Sequence, residues 1–236
     1  MSKPCIAVVT IGQAPRSDIT PEFRGALGEG VDLVEAGALD HLSPSEIAAL
    51  APQEGDDLLV SRLRDGAEVQ LAEHHVIDLV QRRVTEITQR HDAQDQSLDL
   101  VVLLCTGSFP KLRSSVPLIF PDRLLCNVAQ AVAPGGRIAC IAPSPDQRGL
   151  TERKWADVAG ELIFAAVSPY SAGHDECVAV ARDVAAAEPD LIVLDCLGFG
   201  MAMKQLIRSV TRAPVLLPRT LAARIAAELV EGSAPV

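Results

Sequence analysis

The chain has 236 residues, 48% of them hydrophobic, enough to bury a sizeable core as one large α/β domain or two smaller ones. Its 21 basic residues are outnumbered by 31 acidic ones, which argues against general binding to nucleic-acid backbones or anionic membrane surfaces. No apolar run reaches the roughly 20 residues of a membrane span, and MSKPCIAVVTIG passes straight into a strand pattern, so a cytoplasmic protein with no membrane or nucleic-acid partner is expected.

Runs of Val, Ile and Leu alternate with helical patterns, the mark of βα units around a mainly parallel sheet buried on both faces. The first strand spans 5–11, followed by the loop GQAPRSDI and a helix opening at Thr20-Pro21, with Thr20 as its polar cap. A strand at 31–35 precedes Ser43-Pro44-Ser45-Glu46, a capping box that starts a short helix over 44–51. LLVSRLRDGAEVQLA (58–72) predicts a hairpin, with Asp65-Gly66 as a tight two-residue turn. A long helix with Val76, Val80, Val84 and Ile87 on one face leads to a strand at 99–104 and then to a helix begun by Pro121-Asp122. Beyond Pro134-Gly135-Gly136 come strand 137–142, a helix near 151–159, strand 161–167, helix 175–187, strand 190–195, helix 201–211, strand 214–217 and a last helix, 219–231, stopped by Gly232.

The halves repeat a plan. IAVVTIGQAPRSD aligns with IACIAPSPDQRG, and DLVVLLCTG with DLIVLDCLG, although 93 positions separate Gly12 from Cys105 and only 53 separate Pro143 from Cys196. The excess is about the length of the short helix plus the hairpin. The expected fold is therefore α/β with two similar lobes, each a mainly parallel sheet flanked by helices, with a β-hairpin insertion in the first. The lobes are placed at 1–134, with the insertion at about 43–72, and at 135–236, the helix 219–231 packing back on the first lobe.

Six cysteines without a CxxC or a His/Cys cluster at zinc-ligand spacing indicate free thiols and no structural metal. Cys5, Cys126, Cys140 and Cys177 lie within apolar patterns and read as small buried hydrophobes. Cys105 and Cys196 differ because each ends a strand. Ligands of open α/β sheets bind beyond the carboxyl ends of the strands, where loop amides favour a thiolate. A thiolate and a thiol on opposite sides of one carbon would invert it without a cofactor. The amides of Thr106, Gly107, Ser108, Leu197 and Gly198, with the hydroxyls of Thr106 and Ser108, would hold a substrate carboxylate. Arg16 would grip a carboxylate through two N–H groups, or else pair with Asp18 or lie on the surface. Asp195 would orient loop amides, raise the proton affinity of Cys196 or cap. His75, His174, Lys111 and Arg113 read as solvated or structural. Neither GQAPRSD nor LGEGVDLVE fits a phosphate-loop or dinucleotide motif, so no nucleotide is expected.

The segments VVTIGQAPR, LAPQEGDD, the hairpin around RDG, the VLDCLGF box and APVLLPRTLAARIAAEL resemble the AroM family, within or beside the Asp/Glu racemase superfamily. That superfamily includes cofactor-independent racemases, maleate isomerase and arylmalonate decarboxylase. The resemblance implies a two-lobe fold with an interlobe site, catalytic Cys105 and Cys196, and substrate contacts from Thr10, Gly12 and Gln13 and from Pro143 and Ser144. The second box departs from the superfamily's Gly-Cys-Thr-His, having Asp195-Cys196-Leu197-Gly198. The expected activity is racemase- or isomerase-type proton transfer on a small carboxylate, without cofactor. The alternatives are a metabolite-binding or regulatory protein on the same scaffold and a single-cysteine decarboxylase or isomerase. Apolar helices are compatible with a homodimer.

Overall fold

In the computed structural model the described residues are 3–93, 97–110 and 112–230. They form two compact units, Met1–Pro121 with Thr220–Val236, and Asp122–Arg219. Lys111 and the expected helix stop at Gly232 lie outside the described residues.

In the first unit, β1 (Cys5–Thr10) runs through a loop containing a cis Ala14–Pro15 peptide into α1 (Thr20–Leu27). The cap expected of Thr20 is not made: Ile19 is the N-cap and no side chain caps the helix. Instead the backbone N–H groups of Ile19 and Thr20 both donate to the Arg16 carbonyl, at 3.0 and 2.8 Å, so the loop closes on its own main chain. β2 (Asp32–Gly37) precedes α2 (Pro44–Ala48), whose capping box is complete, with Ser43 N donating to the Glu46 carboxylate at 2.7 Å.

β3 (Leu58–Arg62) and β4 (Glu68–Ala72) form the inserted antiparallel hairpin, a sheet of their own. Its turn is longer than the two residues expected. Leu63 N donates to Ala67 O, Gly66 N donates to Leu63 O, and only Gly66 takes a positive φ, 98°. Asp65 keeps a negative φ because its carboxylate accepts from Ala67 N at 2.9 Å, an interaction that favours a turn closed by one left-handed glycine. α3 (Glu73–Ala93) buries Val76, Val80 and Val84 completely. β5 (Leu100–Leu104) and β6 (Leu118–Ile119) complete a parallel sheet in the order β2-β1-β5-β6.

In the second unit, α4 (Pro121–Val132) leads to β7 (Arg137–Ala142), a 3-10 turn at Pro145–Gln147, α5 (Arg148–Trp155) and β8 (Glu161–Ala166). Then come α6 (His174–Ala186), β9 (Leu191–Leu194), α7 (Met201–Val210) and β10 (Val215–Leu216). All strands are parallel, in the order β10-β9-β7-β8. α8 (Pro218–Val230) starts in this unit and continues in the first. By compactness the division falls at Pro121, where the sequence pattern places it after residue 134, and Asp122 and Cys126 of α4 feel the charges of Lys154 and Asp195 in the second unit.

Taking each unit's parallel strands in chain order, both sheets read second, first, third, fourth. Leu100–Leu104 and Leu191–Leu194 are buried throughout, as expected of strands covered on both faces. Each such Leu, Ile or Val contributes about 1.5–3 kcal/mol by leaving water. Among the described residues no helix is long and apolar enough to cross a membrane.

The hairpin packs on the loop after β1. A Cβ at Gly12 would overlap the Arg62 carbonyl oxygen and lie 2.5 Å from Ser61 Oγ. Gly12→Ala should therefore destabilise the protein by about 1–3 kcal/mol through overpacking, seen as a lower urea midpoint. An unchanged midpoint would show that the hairpin does not press on this loop.

Candidate functional site

In each sheet the connections leave the first strand in opposite directions, so the switch point lies between the first and third strands, at their carboxyl ends. In the first unit those strands are β1 and β5, with Thr10 in register with Leu104. Cys105 is the next residue and is buried. The backbone N–H of Gly107 donates to its sulfur at 3.3 Å. A Cβ on Gly107 would sit 2.8 Å from Leu59 Cδ2 of β3, so the hairpin holds this turn against the thiol. Thr106 is buried and Ser108 exposed.

The loop after β1 is tied down by its own polar groups. Thr10 Oγ1 accepts from Gly12 N at 3.2 Å and from Arg16 Nη1 at 2.9 Å. Gln13 donates to the Leu39 carbonyl and accepts from Arg64 N, joining the loop to the hairpin. Arg16 is 2% exposed and holds Asp18 with two parallel bonds, 2.9 Å from Nε and 2.8 Å from Nη2. Of the three situations open to Arg16, the structure thus shows the ion pair. Burial opposes ionisation of Asp18, but the Arg16 hydrogen bonds and charge outweigh it and hold the carboxyl below its ordinary range. After Cys105, the backbone at Arg113 exchanges bonds with the Gln81 side chain, at 2.7 and 2.9 Å, which fastens that loop to α3.

In the second unit the switch point lies between β7 and β9. Pro143 and Ser144 follow β7, both buried, and Ser144 Oγ caps the 3-10 turn by accepting from Asp146 N. Asp195 and Cys196 follow β9, and Asp195 N donates to Ile141 O at 2.8 Å. Gly198 N donates to Cys196 Sγ at 3.4 Å, repeating the geometry of Gly107 and Cys105. Each sulfur thus accepts a backbone N–H from the glycine two residues on, a contact of the kind that favours the anionic form of a thiol.

Several partners of the second box have no motif around them. Tyr170, in the loop after β8, brings its hydroxyl to 3.9 Å from Cys196 Sγ. A Cβ on Gly198 would lie 2.5 Å from that ring and 2.7 Å from Pro169 Cγ, so only glycine admits the tyrosine here. Arg219 is 2% exposed and donates to the Leu197 carbonyl at 2.7 Å and to the Gly198 carbonyl at 2.7 Å. The Asp195 carboxylate, for which orienting loop amides, raising the proton affinity of Cys196 and capping were all open, faces groups of β7 and α5. It accepts from Lys154 Nζ at 2.6 Å, Trp155 Nε1 at 3.1 Å and Cys140 Sγ at 3.4 Å. Cys140, expected as an inert apolar filler, is thus a buried donor, its thiol pushed well up by burial and by Asp195. Beside the Gly198–Gly200 loop lies a cavity of about 360 Å³ lined largely by apolar groups, among them Pro169, Cys177, Phe199, Met203 and Leu206.

The sequence profile described as AroM protein matches residues 6–230. The chain belongs to the AroM family. No curated protein matches it in sequence. Among solved structures, allantoin racemase from Klebsiella pneumoniae is similar at 17% identity, covering 96% of this chain and 87% of that one, with a TM-score of 0.61. The maleate isomerase from Pseudomonas putida S16 matches at 13% identity over 96% and 93% of the two chains, with a TM-score of 0.59. Unliganded arylmalonate decarboxylase matches at 16% over 98% and 94%, with a TM-score of 0.57. At these identities the likeness is one of fold, and it covers both units of this AroM-family chain.

Arg16→Met should remove the two short bonds to Asp18, leaving the Arg62 guanidinium 3.8 Å from the carboxylate, and cost about 1.5–3 kcal/mol. The sign of the pH effect follows from the lowered carboxyl of Asp18: its contribution is complete above about pH 4 and is lost as pH falls through the folded-state value. The stability gap between wild type and variant should accordingly narrow below pH 4 in urea titrations. A gap that stays constant would place the effect elsewhere.

Proposed function

We propose that this AroM-family protein is a cofactor-independent racemase or isomerase acting on a small carboxylate, with Cys105 and Cys196 as its acid/base pair. The observation that carries the reading is the repeated Cys-x-Gly turn. Two thiols, each at the end of the third strand of its own sheet, each accept a backbone N–H from the glycine two residues on. Racemisation, isomerisation and decarboxylation are also the activities named for the structural neighbours.

In this mechanism one cysteine is a thiolate and the other a thiol. The thiolate takes the proton from the carbon next to the carboxylate and becomes a thiol, and the electron pair of the broken C–H bond moves into the carboxylate as an enediolate. The second thiol then gives its proton to the opposite face and becomes the thiolate, so the reverse reaction starts from the complementary state. An ordinary cysteine value near ~8.5 leaves only a modest depression to be supplied at neutral pH. Amides of residues 106–108 and 197–198, with the hydroxyls of Thr106 and Ser108, stabilise the developing negative charge. Thr10, Gly12, Gln13 and Arg16 of the first unit, and Pro143 and Ser144 of the second, are the further residues proposed to contact substrate. The 360 Å³ cavity next to Gly198 offers room for an apolar substituent.

The test is proton exchange in deuterated water with D- and L-glutamate, D- and L-aspartate and an arylmalonate as probes, read by NMR. Deuterium should enter at one carbon of an accepted probe, and Cys105→Ser and Cys196→Ser should each slow exchange from at least one face by about 100-fold or more. Exchange that survives both substitutions, or no exchange with any probe, would count against the reading. Dependence on Cys196 alone would indicate single-thiol chemistry.

A further inference from the structure

We infer that Lys154 is a positioning residue for the second cysteine box, its buried ammonium holding and neutralising Asp195 so that the adjacent Cys196 is not set beside an uncompensated carboxylate. The inference rests on the reading that Cys196 is a reactive thiol, but it concerns only that sulfur and not turnover. Lys154 and Asp195 are each 6% exposed in their side chains, and their 2.6 Å contact spans 41 positions of sequence. Trp155 Nε1 and Cys140 Sγ supply the other bonds to the Asp195 carboxylate, and Asp195 N is pinned to Ile141 O. A carboxylate held in this way fixes the backbone from which Cys196 continues.

Among the described residues, the charged and titratable groups acting on the pair come from three elements. α5 contributes Lys154, β7 contributes Cys140, and α4 contributes Asp122 and Cys126. Tyr170 from the loop after β8 and Arg219 at the start of α8 face the Cys196 turn itself. Burial alone would discharge Lys154, yet the Asp195 charge and hydrogen bond outweigh it and hold the ammonium above its ordinary range. Burial likewise raises Asp122 despite the nearby Lys154, and its Oδ1 has no hydrogen-bond partner among the described residues. Cys126 is pushed up to about 11, first by burial and then by the two carboxylates. Lys154 is the cation shared by this whole cluster, and Asp195 is the carboxylate one residue from the thiol.

The consequence is directional. Removing Lys154 exposes Cys196 to the Asp195 charge and should raise the pH at which it ionises. Removing the Asp195 charge should lower it, because the Lys154 cation then acts on the turn without that carboxylate to offset it. For a unit charge on the neighbouring residue, each shift is on the order of one pH unit.

The experiment is the pH profile of iodoacetamide alkylation at Cys196, resolved by peptide mass spectrometry in the full-length protein. Lys154→Met should move the midpoint up, Asp195→Asn should move it down, and Lys154→Met combined with Asp195→Asn should return it towards wild type. Lys154→Arg should leave it in place. A merely structural ion pair would lower thermal stability in both single variants with the midpoint unmoved or moved the same way, and that result would overturn the inference. Where Lys154→Met does not fold, Asp195→Asn decides, with a downward shift supporting the inference and an unmoved or raised midpoint overturning it. Because alkylation needs no substrate, a protein without racemase activity could still pass, and an active one could still fail.

Discussion

A backbone N–H placed two residues beyond a strand-ending cysteine is the constraint around which both boxes are arranged. For the amide to reach the sulfur, the chain must turn at once, and the turn must lie flat against its neighbour. Gly107 does so against Leu59 of the hairpin, and Gly198 against Tyr170 and Pro169. Any side chain at either position would meet those groups before the N–H reached the thiol, at 2.8 Å in one case and 2.5 Å in the other. The glycine is therefore required by the neighbour rather than by a positive φ, since neither residue takes one. The same requirement explains why the hairpin insertion and the loop after β8, unrelated in sequence, each lean on a cysteine turn.

Much of this arrangement is legible in the sequence because it is local. Strand runs ending in Cys105 and Cys196, the capping box at Ser43, and the matching order of segments in the two halves all depend on residues within a few positions of one another. The repeat is also what makes the insertion visible, since β3 and β4 have no counterpart between β8 and β9. The turn at Asp65-Gly66 was harder to read, because the Asp65 carboxylate competes for a backbone N–H and replaces one left-handed residue with a hydrogen bond.

The partners of Cys196 are not legible for the opposite reason. Lys154 sits in RGLTERKW, a helix so rich in charge that its cations look solvated, and nothing local distinguishes the one that is buried. Its partner is 41 positions away. Tyr170 reaches Cys196 across 26 positions, from a loop, and Arg219 reaches Leu197 across 22, from the start of α8. One signal was present: an acid immediately before the thiol, where the superfamily has glycine, needs either solvent or a cation. With Asp195 at the end of a fully buried strand, solvent was already the weaker answer.

Among the described residues, each unit thus holds a buried cation against a carboxylate beside a strand-end loop, Arg16 with Asp18 and Lys154 with Asp195. Such pairs are weak contributors to stability, since desolvating two ions offsets most of their attraction and an apolar pair of similar volume often does as well. Stability alone therefore does not account for them. What they have in common is the backbone they restrain: Arg16 also donates to Thr10 at the end of β1, and Asp195 is itself the residue before Cys196. An apolar pair could fill the same space, but it would have no directional bonds with which to fix a turn, and a carboxylate left without its cation would oppose negative charge on a neighbouring sulfur. Both demands are met only when the acid and the cation are present together.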